Sequence, residues 1–154
     1  KMVKNVKYPP VGRRSITGSL PQLDFVPTAV GEATAAINDA TLLIVMLETE
    51  EAVANAEAMA AIEGVDALLF GTNDLTIEMG IPGQVGDPRV KKHYETAAAA
   101  CAKHGKFLGM GGVYDPNIMK DYVAMGARLI LAGNDFPFLM KAAKEQAEVV
   151  REMG

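Results

Sequence analysis

The sequence contains little cysteine and histidine, with one cysteine and two histidines among 154 residues. The single cysteine, Cys101, excludes a disulfide bond within the chain and fits a reducing compartment. A structural zinc site is not expected either, because such sites need a cluster of cysteines and histidines. Cys101 lies in an alanine-rich stretch with no neighbouring base or cationic cluster, so we interpret it as a small buried helix residue, not a catalytic thiol.

Long apolar runs and blocks of one charge are also missing. The longest apolar stretch, 42–47, is too short to cross a bilayer, and the sequence does not begin with the charged and apolar segments of a signal peptide. The 19 acidic and 15 basic residues are scattered and give a net charge of −4. That pattern leaves no cationic patch, so we predict a cytoplasmic protein that acts on small molecules and binds neither nucleic acid nor membrane.

What the sequence does contain is a repeat of short apolar strands and helices. Its composition, 49% apolar and 22% charged, is typical of one globular domain over 1–154. We predict an irregular and helical lead-in over 1–40, followed by four β/α units over 41–154. Strands that alternate with helices predict a parallel sheet, and right-handed crossovers would place every helix on its outer side if the sheet curls towards a barrel. The predicted strands are 42–47, 65–70, 107–113 and 128–132.

Capping residues predict where the helices begin and end. Thr49 and Asp135 are expected at helix N-caps, Asp115 with Pro116 at the start of a further helix, and Gly64 and Gly105 just after helix ends. Prolines and glycines over 81–88 indicate a surface loop. The predicted helices span about 28–38, 50–63, 75–79, 89–104, 116–125 and 136–152.

Two predicted strands run into a carboxylate. Glu48 directly follows the first strand, and Asp74 follows the second after the short segment 71–73. Because the carboxyl ends of parallel strands share one face, the two side chains could meet over a single ligand. Their oxygens would suit a hard divalent metal and a small oxygen-rich substrate. The alternative is structural: Asp74 could cap a short helix, and Glu48 could lie near a helix N-terminus.

Glycine-containing segments flank these carboxylates. Backbone N–H groups of Gly71, Thr72 and Asn73 could receive a substrate carboxylate, or Gly71 could simply allow a tight turn, and the two roles need the same geometry. The glycines of the third strand could leave room for a second substrate, although close packing or a bulge is the interpretation we favour for them. They are Gly109, Gly111 and Gly112. We interpret Arg14 as an ion-pair partner or loop anchor.

The order of four short motifs resembles the HpcH/HpaI aldolase family. They are Tyr-Pro-Pro-Val-Gly-Arg-Arg at 8–14, Met-Leu-Glu-Thr at 46–49, Gly-Thr-Asn-Asp-Leu at 71–75 and Met-Gly at 79–80. Members of this family are metal-dependent aldolases that use pyruvate or a related 2-oxo acid. The resemblance implies an α/β chain of the (β/α)8 TIM-barrel family, in which 1–154 covers roughly the last four β/α units.

The resemblance also implies roles for particular residues. Glu48 and Asp74 match the metal ligands, with Mg²⁺ or Mn²⁺ expected and Co²⁺ as a further candidate, and 71–73 matches the turn that binds the substrate carboxylate. The family's proton-transfer histidine and oxo-acid arginine come from early strands and have no counterpart here, because His93 and His104 fall in a predicted helix. We therefore assign no catalytic residue and expect the isolated chain to be inactive.

Two other functions fit the same sequence. A related lyase acting on acyl-CoA esters would use the same metal chemistry, although no CoA pocket is evident. The chain could instead be a non-catalytic assembly module, because open barrel edges favour pairing with a second copy or with the missing half-barrel. A homo-oligomer is therefore expected, and the aldehyde partner stays open.

Overall fold

The computed structural model describes residues 1–17 and 20–154, and its centre is a four-stranded parallel sheet. The strands follow one another in space in chain order, so each neighbouring pair is joined by a helical crossover, as the apolar repeat predicts. Their bounds are β1 Ile44–Leu47, β2 Ala67–Gly71, β3 Phe107–Gly111 and β4 Ala127–Ile130. Each is shorter than predicted: β1 and β2 begin two residues later than expected, and β3 and β4 end two residues earlier.

Eight α-helices are found in the described part of the chain. A 3-10 turn at Pro21–Leu23 precedes α2. The helix bounds are α1 Met2–Val6, α2 Val30–Ala40, α3 Glu50–Ala54, α4 Ala56–Ala60, α5 Thr72–Glu78, α6 Pro88–His104, α7 Pro116–Ala124 and α8 Asp135–Arg151. None of them is long and apolar enough to cross a membrane.

Helices α3 to α7 cover one face of the sheet. Along β1, Val45 and Leu47 are buried in the main core with residues of α3, α4 and α6, whereas Ile44 and Met46 on the opposite face are 36% and 48% exposed. Phe107 is in register with Ile44 through Ala67 and is also exposed. We call the side of the sheet that carries Ile44, Met46 and Phe107 the bare face.

Several predicted helix ends are confirmed. The side chain of Thr49 caps α3 by accepting a hydrogen bond from the Ala52 amide at 3.0 Å. Gly105, with φ +64°, terminates α6 in the left-handed conformation that glycine adopts most easily. Asp115 accepts a hydrogen bond from the Asn117 amide at 2.8 Å and caps α7.

Other helix predictions are wrong. The single helix expected over 50–63 is two short helices, because the Asn55 side chain donates to the Glu51 carbonyl at 2.8 Å and so competes with the helical ladder. Asp135 is the first residue of α8 and not its N-cap, which is Asn134. The Asp135 carboxylate instead accepts from the next amide, that of Phe136, at 2.8 Å.

The lead-in is fastened to α2 by buried polar contacts. The ammonium group of Lys7 donates to the carbonyl oxygens of Asn38, at 2.6 Å, and of Thr41. The Asn38 side chain exchanges two hydrogen bonds with the Tyr8 backbone. Arg14 lies over the Tyr8 ring at 4.8 Å, so it anchors this loop as predicted, through a cation–π contact.

Candidate active site

The two carboxyl-end residues Glu48 and Gly71 lie side by side. Leu47 is in register with Phe70, which brings the next residue of each strand, Glu48 and Gly71, together at the carboxyl edge of the sheet. A Cβ on Gly71 would lie 2.8 Å from Oε1 and 2.7 Å from Cγ of Glu48. A side chain at position 71 would collide with Glu48, so glycine is the residue that fits here.

The segment after β2 begins α5 at once. We predicted a turn at 71–73 and a helix from residue 75, but Thr72 and Asn73 already belong to α5. Asp74 is consequently in the first helical turn and exposed to solvent, whereas Thr72 is fully buried. Asp74 and Gly71, the residue that contacts Glu48, line the same cleft.

Two glycines after the middle of β3 provide close contacts beside this segment. A Cβ on Gly112 would meet Asn73 Nδ2 at 3.0 Å, and Gly112 has φ +78°. A Cβ on Gly111 would meet the Phe70 carbonyl at 3.1 Å and the Leu131 side chain at 3.2 Å. Gly109 packs against Leu69, and the register shifts between Leu108 and Gly109. Close packing and a bulge, the interpretation favoured from the sequence, therefore account for these glycines.

These residues form an open cleft of about 190 Å³ at the carboxyl ends of the strands. Sequence reasoning missed two of its walls, Tyr114 and Leu131, although both directly follow predicted or observed strands and so occupy positions where barrel enzymes carry function. The lining residues are Met46, Phe70, Gly71, Thr72, Asn73, Asp74, Gly111, Gly112, Tyr114 and Leu131. Glu48 adjoins the cleft through its contact with Gly71.

A buried aromatic stack supports the cleft from behind. The Thr72 hydroxyl and the Tyr94 hydroxyl are 2.8 Å apart, and both residues are fully buried. The Tyr94 ring stacks on Phe70 at 4.0 Å and on Tyr122 at 3.8 Å. Burial raises the pKa of both tyrosines, that of Tyr122 to about 12, because the phenolate would lose its hydration. No local pattern could have predicted a contact between side chains 22 residues apart.

Neither histidine lines the cleft within the described residues. Both are in α6: His93 Nε2 is 3.4 Å from Glu50 Oε1, and His104 Nε2 is 3.8 Å from Glu57 Oε1. Both histidines therefore lie in the helix that the sequence predicts for them. Cys101 is buried in the same helix, and burial raises the pKa of its thiol, which suits an inert core residue.

The described residues include no cluster of three or more acidic, histidine or cysteine side chains that could hold a metal ion. Carboxylates such as those of Glu48 and Asp74 are the donors that Mg²⁺ usually takes from a protein when waters and substrate oxygens complete its coordination. The space that Gly71 leaves for the Glu48 carboxylate is consistent with such a ligand. The residues present therefore fit a magnesium-like ion and do not fit structural zinc.

Four parallel β/α units, with the candidate site at their carboxyl ends, define this chain as part of a (β/α)8 barrel of the TIM-barrel type. Residues 1–142 match the HpcH/HpaI aldolase/citrate lyase family, and the chain belongs to that family. Both the fold class and the family resemblance predicted from the sequence are thereby confirmed.

Two curated relatives and one crystal structure illustrate the similarity. A 4-hydroxy-4-methyl-2-oxoglutarate aldolase of Chaetomium globosum is 35% identical over 98% of this chain and 57% of its own length. A hydroxypyruvate/pyruvate aldolase of Pseudomonas aeruginosa is 32% identical over 95% of this chain and 54% of its own length. The crystal structure of an HpcH/HpaI aldolase from Desulfitobacterium hafniense has a TM-score of 0.84 and 31% identity, covering 97% of this chain and 57% of that one. The chain thus spans little more than half the length of these relatives.

Proposed function

We propose that this chain belongs to a carbon–carbon lyase that cleaves and forms the bond between a 2-oxo acid, pyruvate or a similar one, and an aldehyde. The observation that supports this most is the contact between Glu48 and Gly71, which brings a carboxylate beside the segment 71–74 at the carboxyl edge of the sheet. Relatives named as aldolases of 4-hydroxy-2-oxo acids support the same chemistry.

The proposed metal ligands are Glu48 and Asp74, which would hold Mg²⁺ or Mn²⁺, or Co²⁺ in their place. Bound there, a divalent cation supplies Lewis-acid stabilisation of the charge that develops on the 2-oxo group. The carboxylates have complementary surroundings for this role: Glu48 is partly buried and held against Gly71, while Asp74 is exposed and accessible to the cleft.

The proposed substrate contacts are the backbone N–H groups of Gly71, Thr72 and Asn73, which would receive the carboxylate of the 2-oxo acid. Helical geometry begins at Thr72, so the amides of the first turn have no acceptor within α5 and would donate to a bound ligand. The aldehyde would occupy the part of the cleft that Gly111, Gly112 and Tyr114 line.

The isolated chain is expected to bind metal weakly and to turn over little or nothing. The described residues place no histidine or arginine in the cleft, so the proton-transfer histidine and oxo-acid arginine that the family resemblance implies are not supplied there. Pyruvate release from a 4-hydroxy-2-oxo acid by the chain alone, abolished in Glu48→Ala, would contradict this expectation.

Titration with Mn²⁺ tests the ligand assignment directly. Glu48→Ala and Asp74→Ala should each weaken Mn²⁺ binding at least about tenfold, equivalent to about 1.4 kcal/mol. Glu63→Ala, which removes an exposed carboxylate after α4, is the control and should bind like the parent. Equal Mn²⁺ affinity of the parent and Asp74→Ala would refute the metal site.

The bare face favours a second role, in assembly. It carries an apolar hollow of about 210 Å³, lined mainly by Leu42, Ile44, Ala67, Phe107 and Leu129. In the described chain β1 and β4 are the edge strands of the sheet. The unpaired backbone N–H and C=O groups of an edge strand can pair with a strand of another chain or segment. We propose that this face is covered by complementary strands, either of a longer protein or of a second copy in a homo-oligomer.

Sedimentation velocity at several protein concentrations tests the assembly role. A half-barrel that pairs with its copies should sediment faster as concentration rises, because association buries the apolar bare face. A stable monomer at every concentration would rule out pairing between copies.

The predicted cytoplasmic location, for which the single buried Cys101 is the support, does not bear on either role.

A further inference from the structure

The Thr72 hydroxyl depends on one distant side chain. It is fully buried, and its hydrogen-bond partner is the Tyr94 hydroxyl, 2.8 Å away in α6. A buried hydroxyl left without a partner destabilises the fold, so the pair holds Thr72 in this position and disfavours others.

The Tyr94 ring is itself fixed on both faces. Phe70 stacks on one side with ring centroids 4.0 Å apart, and Tyr122 stacks on the other at 3.8 Å with an interplanar angle of 4°. Tyr122 is anchored in turn, because its hydroxyl donates to the Val85 carbonyl at 2.5 Å. A ring held in this way presents its hydroxyl at one place, which makes Tyr94 a rigid support.

Tyr94 contacts both neighbours of Gly71 in the chain. It stacks on Phe70, which precedes the glycine, and hydrogen-bonds Thr72, which follows it. Gly71 has the widest backbone freedom of any residue type, so its position against the Glu48 carboxylate depends on what holds the residues on either side. Asp74 follows Thr72 by two residues, in the first turn of α5.

We propose that Tyr94 is a positioning residue for the candidate site: its hydroxyl, through Thr72, fixes the segment 71–74 and thereby the geometry of Asp74 and of the backbone amides. The effect of Tyr94 on ligand binding rests on the proposed function, in which Asp74 and the backbone amides bind the metal and the substrate. The constraint on the backbone is a property of the fold and can be measured without any substrate.

The first experiment compares Tyr94→Phe with Tyr122→Phe. Each variant removes one buried hydroxyl from the same stack, but only the Tyr94 hydroxyl reaches the segment 71–74. In Tyr94→Phe, backbone ¹⁵N order parameters at residues 71–74 should fall from about 0.85 to below about 0.7, and in Tyr122→Phe they should stay at the parent value. Unchanged order parameters in Tyr94→Phe would overturn the proposal, whatever ligand binding shows.

The second experiment measures oxalate binding in the presence of Mg²⁺, because oxalate presents the paired oxygens of a 2-oxo acid in a planar, stable form. Tyr94→Phe should weaken oxalate binding at least about fivefold, and Tyr122→Phe should stay within about twofold of the parent. If backbone order falls while oxalate affinity is unchanged, Tyr94 is merely structural and the proposal fails. If the parent does not bind oxalate, the proposed function fails, and the order parameters still decide whether Tyr94 holds the segment.

Variants of Thr72 test whether its hydroxyl and that of Tyr94 act together. Thr72→Val removes the same hydrogen bond from the other side, so it should reproduce the effect of Tyr94→Phe, and the double variant should lose no more than either single one. Thr72→Ser keeps the hydroxyl and should retain the parent's order and affinity. Additive losses in the double variant would show that the two hydroxyls act separately and would overturn the proposal.

Discussion

The segment from β2 to α5 and the helix α8 differ sharply in how this chain supports them. Phe70, Thr72 and Leu75 are completely buried, and the stack through Tyr94 stands behind them. The 17 residues of α8 include none that is buried, and its large apolar side chains face solvent. The exposed ones are Phe136, Phe138, Leu139, Met140, Val149 and Val150. The back wall of the candidate site is therefore complete within the chain, whereas the periphery of the half-barrel has apolar surface left to cover.

The largest difference in stability is expected when one leucine in each of the two regions is replaced by alanine. Leu68 in β2 is 0% exposed and Leu139 in α8 is 66% exposed. Leu68→Ala should lower the free energy of unfolding by about 2–5 kcal/mol, because it leaves a cavity, whereas Leu139→Ala should change it by less than about 0.5 kcal/mol. Urea unfolding at low protein concentration measures both. Similar losses in the two variants would show that α8 is as well supported as the sheet.

The sequence predicted what local chemistry controls. The parallel order of the strands followed from the apolar repeat, and the ends of α6 and α7 followed from Gly105 and Asp115. The sequence predicted that Glu48 and the segment after β2 share the carboxyl edge of the sheet. It did not predict that Glu48 packs directly on Gly71, because that contact depends on the register of β1 on β2.

What the sequence did not predict depends on side chains that compete with the backbone or meet over long distances. The Asn55 side chain divides the helix expected over 50–63 by bonding a backbone carbonyl, a choice that helix propensity does not decide. The early start of α5 and the Thr72–Tyr94 pair arise together, because Thr72 is positioned from α6. The roles of Glu48, Asp74 and 71–73, and the division at residue 40, stay predictions.

Two glycine substitutions, one at the candidate site and one in α2, should differ in their effect on Mn²⁺ affinity by an intermediate amount. In Gly71→Ala the new methyl group would lie 2.8 Å from Glu48 Oε1, so the carboxylate must move. The Glu48 end is flexible, so we expect a modest loss of stability but at least about a tenfold loss of Mn²⁺ affinity, about 1.4 kcal/mol.

The control for that substitution is Gly31→Ala in α2. Nothing lies within 4 Å of the added methyl group, and alanine favours the helix by about 0.5–1 kcal/mol over glycine. Gly31→Ala should therefore stabilise the chain slightly and leave Mn²⁺ affinity unchanged. Unchanged affinity in Gly71→Ala as well would separate the Glu48 position from metal binding.

The smallest expected effect is an alkaline loss of stability that originates in the stack. Burial raises the pKa of Tyr122 to about 12 and also raises the pKa of Tyr94 and of the Cys101 thiol. The folded state therefore holds these protons more tightly than the unfolded state, whose tyrosines titrate near pH 10. The contribution of the tyrosines is fully present below that pH and is lost as pH rises from about 10 towards 12, and that of the thiol begins to be lost above about pH 9.

Urea midpoints measured at pH 8.5 and pH 11 test this in the parent and in Tyr122→Phe. The parent's midpoint should fall between the two pH values, and Tyr122→Phe should fall less, because it keeps only the Tyr94 and Cys101 contributions. Leu139→Ala, which removes no titrating group and lies on α8, should show the parent's full decrease. If Tyr122→Phe also shows the full decrease, the alkaline loss arises outside the stack, and the support behind the candidate site does not depend on excluding water from its tyrosines.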